Sequence, residues 1–237
     1  MNKLIIDNNI ESNHIVIDTD TEVKVDFSDT EKDITICVPT GVCLKAFIKT
    51  KNTKNNINYV IEDDSKVYIN KLSVDCSDTI NIKMNSNNSI IKYNTSIINY
   101  KDNEYRQSVD HKGDNIVSKV VNHCINVDNN KFKFIVDGII NKESENIKFK
   151  QDNKIINLKD GKSEILPNLI VDNDDIEASH SAYIGTFNEE DKFYMMSRGL
   201  TEKECDDLLI KAFLLNDMEL TENERDIYCS IIESINK

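Results

Sequence analysis

The sequence predicts a mainly β fold closed by a small helical end-piece. Two observations predict it. From His14 to about residue 172 the chain falls into sixteen short runs rich in Val, Ile, Phe and Tyr, among them HIVID, EVKVDF, DITICV and KVYINKLSV, with Asp, Asn, Ser or Thr between them. Beyond that point the period changes, and capping signals precede apolar stripes at helical spacing. The stretch Pro167 to Leu200 joins the two regimes and holds His180, one of four histidines.

No strand-then-helix alternation occurs in the first part, which excludes a doubly wound α/β fold. Sandwich, barrel and parallel β-helix remain open. Hairpin folds favour glycine at primed turns, yet the chain has only six glycines, no Asn-Gly, and Asp-Gly turns expected only at 137–138 and 160–161. Connectors of Asx, Ser and Thr suit the corners of a solenoid, whose side chains satisfy backbone groups locally. A coil of roughly 20–25 residues gives about seven coils. Asparagine pairs at 8–9, 55–56, 87–88 and 129–130 fit nucleotide bias and carry little weight.

The last part reads as three helices. Asn188 and Asp191 open the first, with Phe193, Met196 and Met195 as its inner face, and Gly199 stops it. Thr201 with Glu204 makes a capping box before the stripe Cys205, Leu208, Leu209, Ala212, Phe213. Thr221 with Glu224 repeats it before Ile227, Tyr228, Ile231, Ile232 and Ile235. About 50 residues of helix are marginal alone, so they are expected to pack on the β end or on a partner. Arg198, between helices, either caps carbonyls or contacts another protein.

Composition narrows function. A formal charge of −13, from 29 basic and 42 acidic residues, argues against non-specific binding to nucleic acid or an anionic membrane. No apolar run approaches a membrane span, and MNKLIIDNNIESNH has no secretory pattern, so a cytoplasmic protein is expected. Cys37, Cys43, Cys76, Cys124, Cys205 and Cys229 form no CxxC or zinc-finger spacing and read as reduced, mostly buried thiols. His123 and Cys124 are adjacent, so a strand would point them to opposite faces. Asp172, Asp174, Asp175 and Glu177 form an acidic cluster that reads first as a solvated loop. No nucleophile elbow, P-loop, HExxH or dinucleotide fingerprint is present, and no strand shows the paired carboxylates of a carbohydrate-active β-helix. The chain is not expected to be an enzyme.

The stretch LIVDNDDIEASHSAYIGTFNEEDKFYMMSRGLTEKECDDLLIKAF resembles the C-terminal region of the SufB/SufD family, the scaffold subunits of SUF iron–sulfur cluster assembly. The resemblance rests on the DD of IVDNDDIEASH, Gly185, Glu189-Glu190, Phe193-Tyr194, Ser197-Arg198-Gly199 and the LLIKAF helix; Asp137-Gly138-Ile139-Ile140, Gln151 and Pro167-Asn168-Leu169 fit the last coils. It implies a right-handed parallel β-helix (β-solenoid) followed by a small C-terminal α-helical domain. The expected division is a lead-in at 1–12, a β-helix at 13–178 and a helical domain at 179–237. It implies a non-enzymatic scaffold that pairs with itself or a SufB-type subunit. Phe193, Tyr194, Arg198, Leu208 and Phe213 would be the interface with a SufC-like ABC-type ATPase. His180 would be a metal or cluster ligand for a transient iron–sulfur cluster, whose further donors would come from Cys124 or from another subunit. Where SufB-type members carry a cysteine after the glutamine, this chain has Asp152. Ser179 and Ser181 replace their flanking glutamates, and Ala178 replaces a SufD-type cysteine. The context is closest to SufD in a compact form without the N-terminal helical domain of longer relatives. One imidazole cannot hold a cluster alone, and the missing cysteine at 152 and missing flanking glutamates motivate the alternative, a structural solenoid subunit that ligates nothing.

Overall fold

The structure, a computed structural model, describes residues 1–174, 176–233 and 235. Among the described residues, fifteen strands precede three helices. The strands are β1 Asn2–Asp7, β2 His14–Val16, β3 Thr21–Ser28, β4 Asp33–Val38, β5 Cys43–Lys51, β6 Asn56–Ile61, β7 Lys66–Val74 and β8 Thr79–Asn85, then β9 Ile90–Asn99, β10 Asn103–Lys112, β11 Val117–Asn126, β12 Lys131–Ile140, β13 Ile147–Asn157, β14 Lys162–Val171 and β15 Ile176–Gly185; the helices are α1 Glu189–Ser197, α2 Glu202–Leu215 and α3 Glu222–Ile232. Odd strands form one eight-stranded sheet, β1-β3-β5-β7-β9-β11-β13-β15, and even strands a seven-stranded one, β14-β12-β10-β8-β6-β4-β2. Every pairing is parallel, each strand lying on the one a coil earlier. The chain is a parallel β-solenoid with a helical cap on one flank. Two of the expected boundaries move. The lead-in is the first strand of the solenoid, because Ile6 is buried in its core, and β15 carries the solenoid on to Gly185.

The alternation of the sequence is the alternation of burial: in β3 Thr21, Val23, Val25 and Phe27 are buried and Glu22, Lys24 and Asp26 exposed, and in β4 Ile34, Ile36 and Val38 are buried. Inward side chains from both sheets fill one core, in which Tyr59 meets Tyr93 edge-on and Tyr105 meets Phe134. Paired residues stand 23 apart in an early coil (Asp26, Lys49) and 31 apart in a late one (Asp137, Asn168). The coils widen along the chain, which is why no fixed period shows in the sequence.

The corners account for some of the asparagine. Asp29, Asn52, Asp64, Asp75, Asn88, Asn115 and Asn146 all take φ between 51° and 57°, a left-handed conformation these residue types tolerate best after glycine. Their side chains stack from coil to coil. Asn88 Nδ2 donates to Asp64 at 3.2 Å, Asn115 to Asn88 at 3.2 Å and Asn146 to Asn115 at 2.8 Å. Four of these seven corners are asparagines, so part of the asparagine content has a structural use. Asp137-Gly138 is not a turn either: it lies within β12, where a Cβ on Gly138 would come within 2.2 Å of the Phe149 ring.

Both capping boxes form, Thr201 with Glu204 and Thr221 with Glu224, and Asn188 caps α1. The helices bury a second apolar layer against the outer face of the odd-strand sheet. Ile210, Leu214, Met218, Tyr228 and Ile232 pack with strand residues that include Phe47, Leu72, Ile98, Ile125 and Ile156. The inner faces differ from the expected ones. On α1, Phe193 and Met196 point to solvent, because the helix is held instead by Lys192, which pairs with Glu202 at 3.2 Å and Asp206 at 2.9 Å. On α2 the buried positions are Cys205, Ile210 and Leu214, while Leu208 and Ala212 face outward. The run LLIKAFLL is apolar on more than one face, and packing chose among them.

Candidate functional site

The residues singled out by sequence fall into three places: the open end of the solenoid, the junction between sheet and helices, and the outer side of α1 and α2. His180 lies on β15, the terminal strand of its sheet, in register with Gln151, which is in register with Val120. Gln151 is buried and its Nε2 donates across the interior to the Val136 carbonyl at 3.2 Å. Aligned residues in a parallel sheet share a face, so His180 continues an interior row. With no coil above it, it is exposed at the mouth of the solenoid. The same open end exposes Leu166, Ile170 and Val171 on β14 and Tyr183 and Ile184 on β15. Pro167 sits within β14, and a terminal strand is where a sheet tolerates proline.

Asp152, standing where the resemblance places a cysteine, is in register with Ser181 rather than His180 and faces outward. Ser181 Oγ donates to it at 2.6 Å, Lys154 Nζ lies 2.8 Å away and His123 Nε2 lies 3.9 Å away. Burial works to raise its pKa, but the hydrogen bonds from Lys154 and Ser181 and the charge of Lys154 outweigh that and hold it below the usual carboxylate range. His123 belongs to the junction. Its Nδ1 donates to the Phe213 carbonyl at 2.8 Å and its ring stacks on Phe213 at 4.7 Å. Burial pushes its pKa down, opposed by that hydrogen bond.

Cys124 faces the other way, into the core, fully buried in register with Ile155, which is in register with Ile184. Burial holds its thiol well above the ordinary range. It stands two strands across and four residues along from His180, roughly 16 Å by strand geometry. The structure does not bring Cys124 and His180 together. His111 is likewise interior, its Nδ1 2.9 Å from the Ile139 carbonyl and its Nε2 2.6 Å from Ser118 Oγ. Of the acidic cluster, Asp175 lies outside the described residues; Asp172 and Glu177 are exposed. Among the described residues no three His, Cys, Asp or Glu side chains are placed to hold a metal ion.

Phe193 (75% exposed), Tyr194, Met196 and Leu208 form an apolar surface on α1 and α2, a larger exposure of big apolar groups than a free helix face needs. Arg198 lies over the Tyr194 ring, 5.1 Å from its centroid, and Nη2 donates to the Tyr194 hydroxyl at 3.0 Å. Its side chain therefore belongs to this surface. Phe213 does not: it is half-buried between His123 and Phe187.

Sequence reasoning missed one charged constellation. Lys71 and Asp78 form a completely buried ion pair inside the solenoid, Nζ to Oδ2 2.5 Å. Asp78 Oδ1 also accepts from Thr53 Oγ1 at 2.9 Å and the Asn55 backbone N–H at 2.8 Å, and Tyr105 stands beside Lys71. Burial alone would lower the Lys71 pKa, but the Asp78 charge overrides it and raises the pKa. A lysine in a strand reads as outward-facing, and only the spacing of Lys71 from Leu72 and Ser73 in a run buried on both faces could have hinted otherwise.

Known proteins match this chain in sequence. An iron–sulfur cluster assembly SufBD family protein of Pyrococcus horikoshii is 45% identical over 51 residues, covering 22% of this chain and 11% of the relative. SufD of Escherichia coli K12 is 28% identical over 149 residues, 61% of this chain and 34% of its own length. SufD of Bacillus subtilis 168 is 32% identical over 65 residues, 27% and 15%. The matches thus span about a third or less of these relatives' own length. The family model described as SUF system FeS cluster assembly, SufBD core domain, matches residues 51–213, which takes in the solenoid from β6 onward, His180 and the exposed face of α1 and α2. Covering well over half of the chain, that match establishes that it belongs to the SufBD family of the SUF iron–sulfur cluster assembly system.

Proposed function

We propose that this chain is a non-catalytic scaffold on which iron–sulfur clusters are built, working beside a SufC-like ABC-type ATPase. The observation that carries the reading is the position of His180. It is exposed at the solenoid mouth, on a terminal strand flanked by apolar side chains that a second subunit would cover. A single imidazole needs further donors, and the open strands β14 and β15 are where a second copy or a SufB-type subunit would supply them. The cluster is cargo here. The apolar surface around Phe193, Tyr194, Leu208 and Arg198 would take the ATPase, and Phe213 would act behind it by tying α2 to the sheet.

Co-expression with the SufC-like ATPase tests the partnership: a complex is expected with the wild type and lost in a Phe193→Ala/Leu208→Ala variant. Failure of the wild type to form any complex would sink it. Anaerobic reconstitution of that complex tests the ligand, since His180→Ala is expected to reduce cluster retention, and equal retention would remove His180 from the site.

A second reading, a structural solenoid subunit that ligates nothing, is favoured by one observation. Asp152 replaces the thiolate donor and faces outward, and Cys124 is buried far from His180. Under that reading His180→Ala leaves retention unchanged while the ATPase complex still forms.

A further inference from the structure

The helices cover only part of the outer face of the odd-strand sheet, and the uncovered margin is basic. Strand register places Lys3, Lys45, Lys92, Lys119 and Lys150 in one file, with Glu22 and Tyr68 between them. At one strand every ~4.8 Å, the file runs for about 29 Å from β1 to β13. Lys66 and Lys148 lie in the neighbouring row. This is a local concentration of positive charge in a chain whose formal net charge is −13.

The chain already seats an acidic segment of its own on the middle of this file. In the connector from α2 to α3, the Asp217 carboxylate lies 2.7 Å from Lys119 Nζ and the Glu219 carboxylate 3.5 Å from Lys92 Nζ. In the next row, Asn94 Nδ2 donates to the Asp217 carbonyl at 2.9 Å and Asn70 Nδ2 to the Glu219 carbonyl at 2.8 Å. The face thus reads both features of an acidic peptide: amides take its carbonyls and lysines its carboxylates. The file continues past both ends of the connector. Among the described residues Lys3, Lys45 and Lys150 make no ion pair, and all three are exposed.

We propose that this lysine file is a docking site for an acidic peptide segment of a partner protein, bound as a continuation of the chain's own Asp217–Glu219 connector. The opposing charges on this face are Glu22 within the file, Asp20 beside Cys43 and Glu177 in the row on one side, where Glu177 answers Lys148 at 3.2 Å, and Asp152 in the row on the other, where it pairs with Lys154 at 2.8 Å. More distant carboxylates matter little, because screening limits their reach to about 8 Å at physiological salt. Pairs this exposed give a weak, fast and salt-sensitive association. The proposal is independent of the scaffold reading.

Fluorescence anisotropy of a labelled decaglutamate peptide on the full chain, at about 50 mM salt, tests it. Lys3→Glu/Lys45→Glu/Lys150→Glu is expected to weaken binding by about tenfold or more. Lys54→Glu/Lys83→Glu/Lys131→Glu makes the same charge change elsewhere and should cost less than about twofold. Equal losses in the two variants, or no saturable binding by the wild type, would overturn the proposal. So would tighter binding of a single-stranded oligonucleotide of matching charge through the same lysines, which would make the file a nucleic-acid site.

Discussion

The buried pair Lys71–Asp78 gives the sharpest test of the core. Asp78→Asn removes the carboxylate charge but keeps an oxygen for Thr53 and the Asn55 N–H, which the structure places at 2.9 and 2.8 Å. Lys71 is then a buried ammonium without its counter-ion, a situation that costs about 3–5 kcal/mol. Lys71→Met leaves the carboxylate buried with two neutral donors and should cost about 3 kcal/mol, the lower end of that range. In Lys71→Met/Asp78→Asn neither charge is present, the thioether chain fills the lysine's space and the oxygen still serves its two donors. That variant is expected within about 2 kcal/mol of the wild type, since well-packed neutral replacements of buried pairs are often near neutral. Against a total stability of about 5–15 kcal/mol, each single change consumes a large part and the double change does not. Urea denaturation followed by circular dichroism on all four proteins measures the cycle. Single variants that each cost under about 1 kcal/mol, with additive effects, would refute the reasoning and show that the pair is solvated.

Acidification is expected to loosen the helices before the solenoid. The His123 pKa is lowered by burial, so the unfolded chain binds the proton more readily and docking support falls as pH drops below about 6.5; Asp152 and Asp217, held below the carboxylate range, keep their support until the pH falls through about 4. Hydrogen exchange in α2 between pH 7 and pH 5 reads the first stage (roughly the His123 window), and His123→Gln should flatten it. Phe213→Ala removes a ring stacked on His123 and edge-on to Phe187; with the ring half-buried, about 2–3 kcal/mol of docking is expected to go, seen as faster exchange in α2 with unchanged protection in β9 and β11. Ile170→Lys, on the exposed face of β14, should abolish any self-pairing seen by analytical ultracentrifugation and leave the thermal midpoint nearly unchanged, whereas an unaltered dimer would place pairing elsewhere.

The sequence carried the fold class because inward and outward positions alternate faithfully in strands such as β3 and β4. It carried two helix starts to the residue because a capping box is a local device. The coil period was not legible, since the separation of paired residues drifts from 23 to 31. Nor was the meaning of asparagine, because a left-handed corner and its coil-to-coil ladder exist only once the coils are stacked. At the site, His180 could be named from its sequence context, but its interior row could not, since facing depends on which residue of β13 it lies beside. Phe213 read as part of an exposed surface for a related reason. Its position on α2 allows either side, and His123, 90 residues earlier, decides it.

The end of α2 shows how helices and sheet are made into one body. A helix leaves its last carbonyls unpaired, and neither a glycine stop nor a basic residue in the last turn serves here. Side chains of the sheet do the capping. Ser96 Oγ donates to the Leu214 carbonyl at 2.6 Å and His123 Nδ1 to the Phe213 carbonyl at 2.8 Å. Just beyond, Asn94 and Asn70 take the carbonyls of Asp217 and Glu219. These donors come from β7, β9 and β11, three adjacent strands, so the C-terminal end of α2 cannot turn without breaking several hydrogen bonds or carrying the strands with it. α1 has no buried residue and meets α2 through the Lys192 ion pairs. The exposed apolar surface is therefore borne on the less constrained end of the helical unit and fixed to the sheet at the other. From β11 the hydrogen-bonded ladder passes to β13 and then to β15, which bears His180. The sheet-borne caps of α2 are thus where the helical unit is tied to the ladder that leads through β13 to His180.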